Sequence, residues 1–249
     1  MDKVSVITWG ESGVGKTPFA GTLQECAKTS PCLFLDVDMG TLSLNVLKEL
    51  PTVLLVDRWS QIAIVYDRLK KQDWGKLAEF ITKETGQEVP VLQYKSVVID
   101  SGTELEYKLR SGVVIPGNEK GDPDKEIASQ PDYLRTQERF RKMYRVFRDL
   151  PITLVMTAGV RELKEESTGI LKRYPDFQPG LARDLVRMTD LVLYMSVTAS
   201  GVGAEAKGER HLITSLSQRF VARDRSGKLP AMITAEKFYF KDLLGKVLS

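Results

Sequence analysis

Residues 10–17 read Gly-Glu-Ser-Gly-Val-Gly-Lys-Thr, an octet that meets every fixed position of the phosphate-binding loop G-x-x-x-x-G-K-[ST]. That spacing serves the capture of a polyphosphate. Glycines at 10, 13 and 15 let the backbone curl so that its N–H groups turn toward phosphate oxygens, and a following helix adds positive potential. The expected nucleotide-binding stretch is Gly10, Glu11, Ser12, Gly13, Val14, Gly15, Lys16, Thr17 and Pro18. Lys16 is expected on the β and γ phosphates and Thr17 on Mg²⁺, so the implied cofactors are ATP and Mg²⁺. Pro18 falls in the first helical turn, where its missing N–H costs the helix nothing.

Hydrolysis of a bound nucleotide needs a carboxylate that orients the metal. Val97-Val98-Ile99-Asp100-Ser101 offers one, because an apolar strand ending in Asp places that residue at the strand's C-terminal end, the edge where open α/β sheets bind ligands. The plainer alternative is that Asp100 caps the next helix. A second acidic strand end is Phe34-Leu35-Asp36-Val37-Asp38. Either Asp36 or Asp38 is a candidate for polarising the attacking water, and both share a face if the strand persists. A merely polar strand end is the alternative.

The elements that must hold these residues alternate between strand and helix. Val4–Trp9 reads as a buried strand before the loop, with a helix over 18–28 after it. Strands are expected at 32–37, 53–56, 96–99 and 152–157, then at 191–198, 211–216 and 220–223 in a late β-rich part. Helices are expected at 60–71, 77–85, 103–109, 132–150 and 181–188, with a closing helix over 236–247. Segments 112–131 and 162–180 are polar and contain Gly and Pro. On the 132–150 helix, Tyr133, Phe140, Tyr144 and Phe147 form the apolar stripe. The bases Arg135, Arg139, Lys142 and Arg145 read as a solvated face in preference to a DNA surface.

Composition sets the outer bounds. The 249 residues suit one α/β domain spanning 1–249, with 42% hydrophobic and 28% charged residues as in ordinary globular proteins. A net charge of +3 permits nucleic-acid binding without arguing for it. Two cysteines, Cys26 and Cys32, suggest a reduced, cytoplasmic setting and no zinc site. No run is long and apolar enough for a membrane span. The chain enters its first strand at once, so neither a signal peptide nor an added N-terminal domain is expected. The lone His211 reads as structural.

Phe34-Leu35-Asp36-Val37-Asp38 after the loop helix, followed by Val-Val-Ile-Asp-Ser, resembles the RecA-type ATPase core. The fold this implies is α/β, a RecA-like P-loop core with a mainly parallel central sheet flanked by helices. By that resemblance Asp38 stands where recombinases carry a catalytic glutamate. Ile152–Thr157 with Ala158-Gly159-Val160-Arg161 resembles the sensor strand, although Gly159 replaces the usual polar side chain. Val221-Ala222-Arg223-Asp224-Arg225-Ser226-Gly227-Lys228 resembles the basic hairpin that reaches a neighbour's nucleotide in hexameric helicases. Arg223 and Arg225 are then expected to act in trans, from a hairpin over 210–228; an exposed basic turn is the alternative. The whole pattern is similar to phage P-loop ATPases that keep only the RecA core, among them single-strand annealing proteins.

The same resemblance places DNA in loops 112–131 and 161–178. Lys120 and Lys125 lie in the first, and Arg161, Lys164, Lys172 and Arg173 in the second. Tyr174 and Phe177 are candidates for base stacking, or for packing against the body. The implied partners are single-stranded DNA, further copies in a ring or filament with ATP at the interface, and a single-strand DNA-binding protein. The expected activity is a DNA-stimulated ATPase in phage recombination or replication, in the host cytoplasm. The rivals are a nucleotide-gated binding module with little hydrolysis and a P-loop small-molecule kinase. The kinase would need an arginine-rich lid, and residues 112–131 contain no arginine.

Overall fold

The computed structural model describes residues 3–114, 128–164, 169–200 and 207–248. Its apolar runs become the central strands of one sheet: β1 (Ser5–Gly10), β2 (Cys32–Asp36), β3 (Thr52–Leu55), β4 (Ser96–Asp100) and β5 (Thr153–Ala158). Off that sheet, β6 (Val160–Lys164) and β7 (Leu171–Pro175) form an antiparallel hairpin. β8 (Leu191–Ser200), β9 (Lys207–Ile213), the short β10 (Arg223–Asp224) and β11 (Met232–Ala235) complete the large sheet. Its order is β11-β9-β8-β1-β5-β4-β2-β3, with β10 also paired to β8. The pairings from β3 to β8 are parallel, and β9, β10 and β11 join antiparallel.

Parallel strands are covered on both faces, so they read as unbroken apolar runs. One face presents Ile7, Trp9, Leu35, Ile99, Met156 and Tyr194. It is covered by α2 (Trp59–Lys71), α3 (Trp74–Thr85), α4 (Gly102–Val114), α5 (Gln130–Arg148) and α6 (Pro179–Met188). The other presents Val6, Phe34, Val98, Val155 and Leu193 to α1 (Lys16–Gly21) and α7 (Phe240–Val247). Phe19 of α1 stacks on Phe240 of α7 with centroids 4.4 Å apart, and Thr22 Oγ1 accepts from the Phe240 N–H at 2.9 Å.

Several expected boundaries move. The helix expected over 18–28 is α-helical only to Gly21 and then tightens into i→i+3 turns through Cys26. A Cβ at Gly21 would lie 2.6 Å from Leu47 Cδ1 and 2.7 Å from Leu44 Cδ2, so the bare glycine lets the 3₁₀ turn Thr41–Val46 pack close. The polar segment 162–180 contributes most of a hairpin. Its strands lie outside the large sheet and have no fully buried face, so they carry no apolar alternation. Tyr133 leaves the expected apolar stripe of α5, being 39% exposed and capped by Arg110 at 5.4 Å, while Met143 joins it. Arg135, Arg139, Lys142 and Arg145 are exposed, as a solvated face should be. Lys120 and Lys125 lie outside the described residues. His211 sits between Thr198 and Thr234, whose hydroxyls meet its two ring nitrogens. No helix among the described residues is long and apolar enough to cross a membrane.

Candidate nucleotide site

The loop grows from the C-terminal end of β1, near the middle of the sheet. Gly13 and Gly15 hold φ angles of 79° and 101°, a left-handed backbone that other residues enter at a cost. A side chain at Gly10 would run into the Met195 carbonyl of β8. These constraints fix the loop over the sheet edge. Lys16 Nζ donates to Gly10 O at 2.9 Å and Glu11 O at 2.8 Å, which folds the ammonium back over the loop. Burial pulls the Lys16 pKa down, while Asp100, Asp38 and Glu11 push it up.

Beneath the loop lies a polar row that crosses four strands. Thr8 of β1 is in register with Thr157 of β5, and Asp36 of β2 with Asp100 of β4. The Thr157 hydroxyl donates to Asp100 Oδ1, which joins the two pairs. Burial pushes the Asp100 carboxyl up, opposed by hydrogen bonds from Thr157 and Thr17 and reinforced by Asp38 and Asp36. Thr8 Oγ1 and Asp36 Oδ2 are buried without a hydrogen bond among the described residues. Asp100 and Thr17, which share a hydrogen bond, are oxygen donors of the kind Mg²⁺ takes, a hard cation that keeps several waters and few protein ligands. No three His, Cys, Asp or Glu side chains converge as a metal cage among the described residues.

The two acidic candidates at the end of β2 separate. The strand stops at Asp36, where the amides of Val37 and Asp38 turn onto the Asp100 carbonyl. Asp36 is buried, its Oδ1 takes the Gly40 N–H at 3.2 Å, and burial raises its pKa. Asp38 is exposed and accepts from Ser101 Oγ at 2.9 Å. Together with Gly10, Glu11, Ser12, Lys16, Glu104 and Gly159 it lines a cleft of about 620 Å³. The shared face expected of an unbroken strand is therefore lost, and only Asp38 opens to the space above Lys16.

Three residues to which the sequence reading gave no role in the site support this cleft. Lys108 Nζ donates to the carbonyls of Val37 at 3.1 Å and Val56 at 2.8 Å, fixing the segment that carries Asp38. Thr103 Oγ1 accepts from Gly159 N at 3.1 Å and donates to Asp176 O at 2.9 Å. One hydroxyl thus ties the start of α4 to both ends of the β6–β7 hairpin, where a polar side chain at 159 is missing. Thr157 is the third; a Thr ending the apolar run 152–157 was its only signal.

The hairpin carries all four basic residues expected on DNA, but β alternation divides them. Arg161 pairs across with Tyr174 and Leu163 with Lys172, which puts Arg161 and Lys172 on one face and Lys164 and Arg173 on the other. Arg161 binds Asp176 at 3.1 Å. Arg173 binds Glu162 at 2.9 Å and the Tyr194 hydroxyl at 3.3 Å, and both contacts raise its pKa. On the Arg173 side a cleft of about 440 Å³ is lined by Glu162, Leu171, Tyr194, Arg219 and Phe220. Phe177 is 1% exposed and packs on Phe140 with centroids 5.6 Å apart, so it is a core residue and offers no ring to a base.

Arg223 and Arg225 stand apart from the loop. β10 pairs with the first residues of β8, whereas Gly10 of the loop is in register with Met195 further along. Arg223 donates to the carbonyls of Val186 and Arg187 at the end of α6. Arg225 donates to Arg187 O at 2.8 Å and binds Asp190 at 3.0 Å. The anion that two adjacent cations require is supplied here within the chain, by a helix C-terminus and a carboxylate.

A family model described as an AAA domain matches residues 2–226. No curated protein matches the sequence. Among solved structures the chain is similar to the crystal structure of the RadB recombinase, at 13% identity and a TM-score of 0.50, over 93% of this chain and 86% of that one. At that identity the likeness is one of fold: an α/β sheet, mainly parallel, in the RecA-like arrangement.

Proposed function

The chain belongs to the AAA domain family, and from that membership we propose that it is an ATPase whose Mg²⁺-dependent hydrolysis is coupled to single-stranded DNA. The observation that carries the proposal is a juxtaposition. Lys16, Asp100 and Asp38 meet at one sheet edge, and a basic hairpin rises from the next strand end, tied to that edge through Thr103. Lys16 neutralises the phosphates, Thr17 and Asp100 hold the metal, and Mg²⁺ when bound draws charge from the transferring phosphoryl group. Asp38, oriented by Ser101, accepts the proton of the attacking water. Assembly into a ring or filament and a role in phage recombination rest on the sequence resemblance.

Asp38→Asn is expected to lower turnover by about 10²–10⁴-fold with little change in nucleotide affinity, since general-base catalysis is lost while the loop is intact. Steady-state turnover beside equilibrium binding reads both. Full turnover in this variant, with loss in Asp36→Asn instead, would assign the base to the buried carboxylate. Slow turnover in the wild type, unchanged in either variant, would favour the nucleotide-gated binding module.

For DNA, the expected path follows the Arg173 face of the hairpin, where Arg173 and Arg219 meet phosphates and Phe220 offers a ring to a base. Neutralising Lys164, Arg173 and Arg219 together should weaken single-strand binding and flatten its salt dependence by a slope of roughly 0.7 per lost phosphate contact, whereas neutralising Arg161 and Lys172 on the opposite face should change it less. Titrations at several salt concentrations measure this. An unchanged slope would move the DNA site elsewhere, first to the exposed bases of α5.

A further inference from the structure

The phosphate loop lacks one donor. Pro18 follows Thr17 and has no N–H, so the chain of backbone amides that wraps a polyphosphate stops one residue early. On that side the loop borders a second cleft, of about 260 Å³, walled by Gly15, Pro18, Phe19 and Thr22 and, opposite, by Lys237, Phe238 and Tyr239. Those last residues lie beyond the stretch that the family model matches.

Arg210 of β9 lines the same cleft. Its Nε donates to Val14 O at 3.3 Å and its Nη1 to Glu236 O at 2.9 Å. A Cβ at Gly15 would sit 3.5 Å from that Nε, so the guanidinium lies close against the loop. Two carbonyls fix its position, and among the described residues no carboxylate pairs with it. A cation held against a phosphate loop without a counter-charge is poised for an anion, and the planar guanidinium keeps further N–H groups for a phosphate.

Building on the nucleotide reading above, we propose that Arg210 supplies within the same chain the phosphate contact that Pro18 cannot. The nucleoside of the ligand then lies in the 260 Å³ cleft against Tyr239, and the phosphate next to it meets the guanidinium. Lys16 serves the far end of the polyphosphate and Arg210 the near end.

Calorimetric titration of the full chain with ADP tests this. Arg210→Met should bind ADP about 10- to 100-fold more weakly, the range for a charge-assisted hydrogen bond. Pro18→Ala returns the missing N–H, so the double variant should recover part of that loss. Arg210→Lys, which keeps the charge, should lose less and serves if the methionine variant does not fold. Wild-type affinity in Arg210→Met would overturn the proposal. So would a loss that Pro18→Ala does not relieve, because Arg210 would then be a strut between the loop and Glu236. Lys16→Ala separates the two readings. If it loses ADP while Arg210→Met does not, only this inference falls; if it binds ADP normally, the phosphate-loop reading fails and takes the inference with it.

Discussion

Lys16→Ala is expected to lower ATP turnover by at least about 10²–10³-fold and to weaken ATP binding, while leaving the thermal midpoint close to that of the parent. The first magnitude is that of removing one preorganised charge-stabilising donor from a reacting centre. The second expectation follows from the lysine's surroundings. Its ammonium donates to the carbonyls of Gly10 and Glu11 at the lip of the cleft, so its removal opens no core. The carboxylates that push its pKa up, Asp100 and Asp38, would lose the cation that offsets them. Calorimetric binding, steady-state turnover and a thermal scan on one preparation read all three quantities. Normal turnover in the variant would remove the loop from the chemistry.

Asp100→Asn should show the opposite pairing of stability and function. Burial raises the Asp100 pKa, so the folded chain keeps this proton to higher pH than the unfolded chain does. Its contribution to stability is complete below the ordinary carboxylate value of 3.8 and is lost as pH rises through the raised value. Asparagine keeps the acceptor for Thr157 and Thr17 without the charge. The metal-free variant should therefore unfold at higher temperature than the parent at pH 7, with a flatter pH profile. Turnover should fall by about 10²-fold or more as the metal's orienting ligand is lost. In the parent, Mg²⁺ competes with the same proton, so affinity for the Mg²⁺-nucleotide complex should weaken as pH falls into that window. Destabilisation of the metal-free variant would mean that the carboxylate is held by interactions stronger than its burial cost.

The parts of this site legible in the sequence are those with fixed spacing or an unbroken apolar run. The octet 10–17 names its own chemistry, and β1, β4 and β5, buried along their whole length, announce themselves as parallel strands that end in functional residues. The remainder depends on contacts that sequence order does not encode. Arg210 meets the loop at Val14, 196 residues away. Thr157 becomes the partner of Asp100 only because their strands lie side by side. Asp36 and Asp38 could not be told apart, because the turn of the chain onto the Asp100 carbonyl decides which is buried. The β6–β7 hairpin was hidden because a strand with no fully buried face has no hydrophobic period. Arg223 and Arg225 had the right types and spacing for a trans contact, yet α6 and Asp190 satisfy both within the chain.

The most direct measurement is ATP turnover by the wild-type chain with Mg²⁺, with and without single-stranded DNA, at fixed low salt. Mg²⁺-dependent hydrolysis should rise when the strand is added, through the Thr103 link between the nucleotide edge and the hairpin. ATP bound without turnover under both conditions, or turnover indifferent to the strand, would contradict it.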